Sequence, residues 1–522
     1  MTRGALGMTR GADEPMDAES RCRILSRMGN GLLSKPVDLK FLRKVTAERV
    51  SFAFLALWCL LPAAMVGVCL WLGISQGYAF DAETTPYGPV YYQLFPLYRR
   101  AFLVLGSLTI AFALSQVAMC WKSIASIESV KAHPWFYLLA ALLVWAVAST
   151  LLSDNPWLQF AGTQYRCDGL YSYFIYGSVL VCALRLHGER LRMCVLRLFV
   201  GVADALCIVM ICQALHVPVI WQCFEAPYAV VFNNLNHFGY ILCMASLCAM
   251  GLYLHDGTGK WGLAHIASFG LLVFTLLAND TFGCYLAVLV GMGAVGLFYV
   301  KSGHAWGTRL AMPLAVFAAL SLVNLCGLMA PLNPHGLGAS IFQLGTDVSA
   351  INDGSPEAGR AGSGRFKLWV AALQMIPERP IFGYGPEGLI GAYQARMNLD
   401  RPHNEIIQYA VFLGIPGLLL YLSALLSLAV QQWKRLKSLG SITLVAMGIV
   451  VGYVVSSLFG NTMFNTSPYF WMMLGFAAQG HNSAERLFTP QSVTRHGVVE
   501  KAVAIAVLVV CALAVMLLGI AL

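Results

Sequence analysis

The chain is 522 residues long, 58% hydrophobic and only 11% charged. A soluble chain carries roughly twice that charged fraction, so the composition excludes a soluble globular enzyme and indicates a polytopic membrane protein. The net charge of +9 is explained by where the basic residues fall along the chain, and no nucleic-acid partner is expected.

Residues 1–50 are polar, of mixed charge, and hold ten Lys/Arg. They lack the early apolar core and small-residue cleavage site of a signal peptide and read as a cytoplasmic tail, with an interfacial helix near Leu39 to Val50. Thirteen apolar runs of about membrane length follow: 51–73, 101–120, 135–152, 171–184, 193–215, 237–254, 261–278, 282–300, 311–332, 405–430, 442–458, 467–478 and 502–522. The fourth and twelfth are short, and without the last the core has twelve helices. The expected fold is an all-α polytopic membrane protein. Nine spans lie within 51–332, a large extracytoplasmic loop within 333–403 and three spans within 404–479. Residues 480–522 hold a cytoplasmic loop and the extra span.

The positive-inside rule sets the orientation. With a cytoplasmic N-terminus, the outer side keeps nine of the 34 Lys/Arg: Arg99, Arg100, Arg166, Arg360, Arg365, Lys367, Arg379, Arg396 and Arg401. The other 25 fall inside, most clearly in the runs 185–192 and 434–437. Most of the fifteen cysteines sit within apolar runs, among them Cys59, Cys69, Cys207, Cys243 and Cys284, where they act as small hydrophobes. No CxxC pair or Cys/His ligand spacing is present, so no metal site is expected. Cys167 and Cys223 both fall on the outer side and are candidates for a disulfide.

The large loop concentrates the polar chemistry. Its first half, NPHGLGASIFQLGTDVSAINDGSPEAGRAGSG, is rich in Gly, Ser and Asp and reads as a flexible flap. In its second half Phe366, Trp369, Val370 and Leu373 share one face of a helix suited to the headgroup plane, with Ser363 as cap and Pro377 as stop. FGYGPEG is a tight turn in which Gly383 and Gly385 permit close backbone approach to a ligand. Asp400 and Arg401 then lead into His403 and Asn404 at the N-terminus of a long span, a position of partial positive charge that keeps an imidazole neutral. A capping role for His403 is the alternative. Gly414, Pro416 and Gly417 predict a bend in that span.

Arg166, in FAGTQYRCDGL, presents a planar fork suited to phosphate oxygens, or else anchors headgroups as Arg99 and Arg100 do. Arg365 and Arg401 are candidate clamps for a diphosphate, or hold the loop to lipid headgroups or to Asp400 and Glu387. The chain lacks a Walker loop, a GxSxG elbow, an HExxH pair and a DxD pair, which argues against a nucleotide-driven pump or a metal hydrolase. Few ionisable residues lie within the spans, Asp204 being one, so a proton-coupled transporter is poorly supported.

Four stretches together resemble the O-antigen ligase and polymerase superfamily of bacterial envelope glycosyltransferases: FAGTQYRCDGL, FNNLNHFGYIL, GRFKLWVAALQMIPERPIFGYGPEGL and RPHNEIIQYAVFLGIPGLLLYL. The resemblance extends from about the third span to the twelfth. It implies a metal- and nucleotide-independent enzyme of the bacterial cytoplasmic membrane, with its active site on the outer side. The enzyme would take a polyprenyl-diphosphate-linked glycan as donor and a glycan or lipid hydroxyl as acceptor. It implies His403 as the catalytic group that draws the acceptor proton, and Arg166 and Arg365 as diphosphate ligands. Two positions depart from the pattern. Thr281 or Phe282 stands where the family often has arginine, and Phe412 where it often has an acid. A flippase or transporter of lipid-linked saccharides shares the helices and the basic loop, and is the alternative function.

Overall fold

Long apolar segments with their backbone polar groups satisfied internally cross a bilayer as helices, and each of the first twelve expected spans overlaps a helix. The computed structural model describes residues 46–488 apart from 76–88, 164–165, 216, 218, 220–227, 233, 304–306, 334, 391, 398–400 and 481–486. Expectations for most of the N-terminal tail, Cys223, Asp400 and the run 502–522 lie outside the described residues. Cys167 is a buried free thiol.

The main helices are α1 (Ala47–Ser75), α2 (Pro89–Met119), α3 (Pro134–Leu151), α4 (Leu170–Arg185), α5 (Glu189–Ala214), α6 (Leu235–Asp256) and α7 (Lys260–Asn279). They continue with α8 (Phe282–Ser302), α9 (Gly307–Leu325), α10 (Gly336–Asn352), α11 (Arg365–Met375), α12 (Glu405–Lys434), α13 (Ser441–Ser457) and α14 (Ser467–Ala477). Among the described residues no strand occurs. Among the described residues eight helices, α1–α3, α5–α8 and α12, are long and apolar enough to cross a membrane, and α4, α9 and α13 are shorter apolar helices. The protein is an all-α polytopic membrane protein.

The centre of the bundle is α6, which is apolar on every side and buried along its membrane-length window. It packs against α7 and α13, and α13 packs in turn on α8 and α14. Close approach along α13 depends on Gly448 and Gly452, one turn apart. A Cβ on the first would lie 2.1 Å from Val295 and on the second 2.5 Å from Leu247. Helices α2 and α14 flank α4, and α3 lies along α12.

Helix α12 is broken where the sequence predicted a bend: Gly414 has φ 71°, ψ 177°, and Pro416 follows. A break deep in a membrane bundle is stable only if the freed backbone groups find partners. Here Tyr384 N donates to Val411 O (2.9 Å), Gly385 N to Phe412 O (2.8 Å) and Trp145 Nε1 to Leu413 O (2.8 Å). Ile415 N donates to Pro380 O (2.9 Å), and Ser149 Oγ to Phe412 O (3.1 Å). Residues 380–385 are thereby clamped against α12 and α3, and Trp145 stacks on Phe382 at 4.8 Å between ring centroids.

The expected flap is a correction. Residues 336–352 form the helix α10, tied down by Asn333 Oδ1, which accepts from His335 N and Gly336 N, and by Asn324 Oδ1, which accepts from Leu337 N at 2.6 Å. Leu337, Ile341, Leu344, Val348 and Ile351 recur at alternating four- and three-residue steps, a helical period that outweighs the Gly, Ser and Asp content. Leu337 is buried, and the other four are exposed.

Candidate functional site

Four loops meet at one end of the bundle: 152–169, 376–404, the turn before α8, and 458–466. Their anchor is a buried guanidinium. Arg401 is 1% exposed and donates through Nη1 to Asp168 Oδ2 (2.9 Å) and Thr462 O (2.7 Å), and through Nη2 to Glu387 Oε1 (3.1 Å). Asp168 also accepts from Tyr176 Oη (2.9 Å) and from the Thr462 hydroxyl, which itself accepts from Gln408 Nε2 (2.6 Å). Glu387 accepts from the backbone N–H groups of Asp168 (2.7 Å) and Thr163. Burial pushes the Glu387 carboxyl up from its ordinary value, while Arg401 and these two N–H groups pull it down. The expected clamp Arg401 therefore stands behind the site, committed to two carboxylates and a carbonyl. Its pairing with Glu387 is the alternative that the sequence had left open. Its guanidinium also lies 5.8 Å over the ring of Phe412, the position where the resemblance expects an acid. The acids that pair with Arg401 are Asp168 and Glu387.

This knot sets the backbone on either side of it. Non-glycine residues rarely adopt positive φ, and each such residue stores about 1–3 kcal/mol of strain that persists only where its surroundings enforce it. Three of them sit here: Cys167 (φ 46°) beside Asp168, Glu387 (φ 55°), and His403 (φ 52°) two residues after Arg401. Asn404 caps α12 by accepting from Ile407 N at 3.1 Å. Below it, the buried Glu405 accepts from Tyr421 Oη and Tyr453 Oη, each at 3.0 Å.

His403 is half-buried. Its backbone N–H donates to Asn461 Oδ1 (3.0 Å), and its Nδ1 lies 3.4 Å from Asn461 Nδ2. Two residues on, Met463 Sδ receives Arg166 Nη1 at 3.9 Å. One residue before Asn461, Gly460 lies against Tyr240, so closely that a Cβ there would fall 1.7 Å from the Tyr240 hydroxyl. Arg365 opens α11 as a half-buried residue, and its Nη1 donates to Gly362 O at 3.3 Å. Burial lowers its pKa from the ordinary value, and Tyr240 and Cys284 are the groups that oppose the shift. The loop 458–466 thus touches His403 through Asn461, Arg166 through Met463, and the surroundings of Arg365 through Gly460. The charge of Arg365 also acts on Cys284, in the first turn of α8 and shortly after Thr281 and Phe282, where the resemblance expects an arginine. Arg99, read as a headgroup anchor, is instead buried beside Cys167, while Arg100 is exposed.

Two glycines of FGYGPEG are in close approach to other parts of the chain. A Cβ on Gly383 (φ 67°) would lie 2.4 Å from Phe412 O, and one on Gly385 (φ 86°) 1.9 Å from Gln159 Oε1. Both lie where the loop is pressed onto the broken helix and the short helix Pro156–Ala161. In α11, Leu368, Ala372 and Met375 pack inward, so the expected apolar face turns outward, with Val370 and Leu373 exposed. Gly364 takes the N-cap position expected for Ser363, and the helix stops before Pro377.

Asn461, Thr462, Asp168 and Gln408 are not among the residues expected from sequence, whereas Glu387 is expected as a partner of Arg401. Asp168 adjoins Arg166 in chain order, and GNTMFNT is the polar interruption between two apolar runs, so both signals were present. No curated protein matches the chain. Residues 267–422, which run from within α7 through His403 and past the break in α12, match the family model described as O-Antigen ligase. That segment is similar to the O-antigen ligase family, and the protein that carries it is a multi-pass membrane protein.

Proposed function

We propose that this protein moves a glycan from a polyprenyl-diphosphate donor to an acceptor hydroxyl at the extracytoplasmic face of the bacterial cytoplasmic membrane. The observation that carries the reading is the loop 458–466, whose residues 460, 461 and 463 touch Tyr240, His403 and Arg166. An imidazole and guanidinium groups are thereby gathered at one end of a membrane bundle, where a headgroup carrying a diphosphate would arrive. Arg166 and Arg365 bind the diphosphate. As the bond from C1 to the diphosphate breaks, its electron pair passes to the diphosphate, and fixed cations stabilise the rising charge. Arg401, Asp168 and Glu387 hold the loops that present these groups. The reading includes no metal or nucleotide and gives inversion at C1.

An apolar groove of about 400 Å³ suits the polyprenyl tail. It lies between α2, α3 and α4, lined among others by Leu114, Phe136, Ala140, Phe174 and Gly177. At Tyr173 it approaches Tyr409, on the first turns of α12 below His403 (6.3 Å between ring centroids). In chain order the nine outer basic residues fall in segments on the site side, and the basic runs 185–192 and 434–437 fall at the far ends of α4 and α12, which supports the orientation. The test is incubation of the purified protein in bilayers with polyprenyl-diphosphate glycans and candidate acceptors, without metal or nucleotide. Release of polyprenyl diphosphate with a longer or ligated glycan is expected. Passage of donor across the bilayer without any glycan product would reject the reading in favour of a flippase.

A further inference from the structure

The ring of His403 faces an amide whose orientation is not free to change. The backbone N–H of His403 donates to Asn461 Oδ1 at 3.0 Å, and a backbone N–H is only ever a donor. The oxygen of the Asn461 amide is therefore fixed on that side, and Nδ2 is the atom that stands 3.4 Å from His403 Nδ1. An amide nitrogen offers only hydrogens, so Nδ1 must present its lone pair. In a neutral imidazole the proton then resides on Nε2. The left-handed backbone at His403 (φ 52°) belongs to the same arrangement, because it turns both the N–H and the ring toward one side chain.

We propose that Asn461 is a positioning residue that holds His403 as its Nε2–H tautomer, so that His403 donates a hydrogen bond to the donor diphosphate rather than removing the acceptor proton. This rests on the glycosyl-transfer reading given above and replaces the general-base role expected from the resemblance. The bond between C1 and the diphosphate oxygen breaks, and its electron pair goes to that oxygen. Nε2–H, Arg166 and Arg365 stabilise the charge there. The acceptor oxygen bonds to C1, and its proton passes to water at the open end of the site.

The first test needs no turnover. The full-length protein carrying ring-¹⁵N-labelled histidine is placed in bilayers, and the difference spectrum against His403→Gln isolates one ring from the rest of the 11 histidines. The expected signature is a protonated Nε2 with a bare Nδ1. A proton on Nδ1 overturns the proposal. The second test is Asn461→Asp. A carboxylate accepts the His403 backbone N–H equally well but requires a proton on Nδ1, so in the neutral ring, which assay at alkaline pH enforces, it moves the ring proton and removes the donor at Nε2. Loss of one such donor to a developing charge predicts a fall in kcat of about 10²–10³-fold, with donor KM little changed. A kcat at or above wild type is what a base at Nε2 would give, and it refutes the proposal. If the wild-type protein makes no glycan product at all, the glycosyl-transfer reading fails, while the ring spectrum still decides the tautomer.

Discussion

Arg401→Ala separates a structural cation from a substrate ligand. The substitution removes the bonds to Asp168 Oδ2 (2.9 Å), Thr462 O (2.7 Å) and Glu387 Oε1 (3.1 Å). It leaves two carboxylates, 0% and 2% exposed, facing each other without a cation. Breaking a buried pair in this way costs about 3–5 kcal/mol, because the remaining charge can neither be solvated nor paired. Unfolding of the purified variant in detergent, followed by intrinsic fluorescence, should show a loss of that size. Arg401→Lys, which keeps a cation but loses the fork, should fall between. The loss also depends on pH. Burial raises Glu387 and Arg401 lowers it, so removing Arg401 raises it further. A folded-state pKa above the unfolded value contributes stability that is full below the unfolded value and lost as pH rises through the folded one. The gap between Arg401→Ala and wild type should therefore be smallest in acid and widen toward neutral pH. A variant as stable as wild type, with only its donor KM raised, would show that Arg401 binds substrate and would refute this reasoning.

Gly383→Ala should cost more stability than Gly364→Ala. Both have positive φ and share the left-handed strain of about 1–3 kcal/mol, but only at Gly383 does the Cβ meet a backbone carbonyl, whereas nothing lies within 4 Å at Gly364. Equal losses in a thermal unfolding assay would contradict the clamp of residues 380–385 on α12. Arg166→Ala and Arg365→Ala should each raise donor KM about 10–100-fold, the worth of one charge-assisted bond, with a smaller effect on kcat. An unchanged donor KM in steady-state kinetics would remove that arginine from the diphosphate. Ala140→Trp, which fills the groove between α2, α3 and α4, should raise KM for a long-tailed donor more than for a short-tailed analogue. An equal effect on the two would place the tail elsewhere.

The spans were legible because an apolar run of membrane length has essentially one backbone solution. The break in α12 was legible too, since Gly414 and Pro416 mark it chemically. The helix α10 was hidden by composition: its glycines, serines and aspartates suggested a coil, although Leu337, Ile341, Leu344, Val348 and Ile351 carried a helical period. The arginines and His403 stood out as polar residues in an apolar chain, but their partners did not. Asn461 is 58 residues from His403, and Asp168 lies 233 from Arg401. Such pairings come from the packing of α4, α12 and α13 rather than from local pattern. For the same reason the sequence could name Gly383 and Gly385 as close-approach positions without telling that the neighbour was the carbonyl of a broken helix.

The central claim is that His403 acts on the bond between the glycan and its lipid diphosphate. The direct measurement is a single-turnover assay of polyprenyl-diphosphate release by His403→Ala, alongside donor binding to the same preparation. Donor should bind nearly as tightly as to wild type while release slows by about 10²–10³-fold. Release at the wild-type rate with donor fully bound would contradict the account.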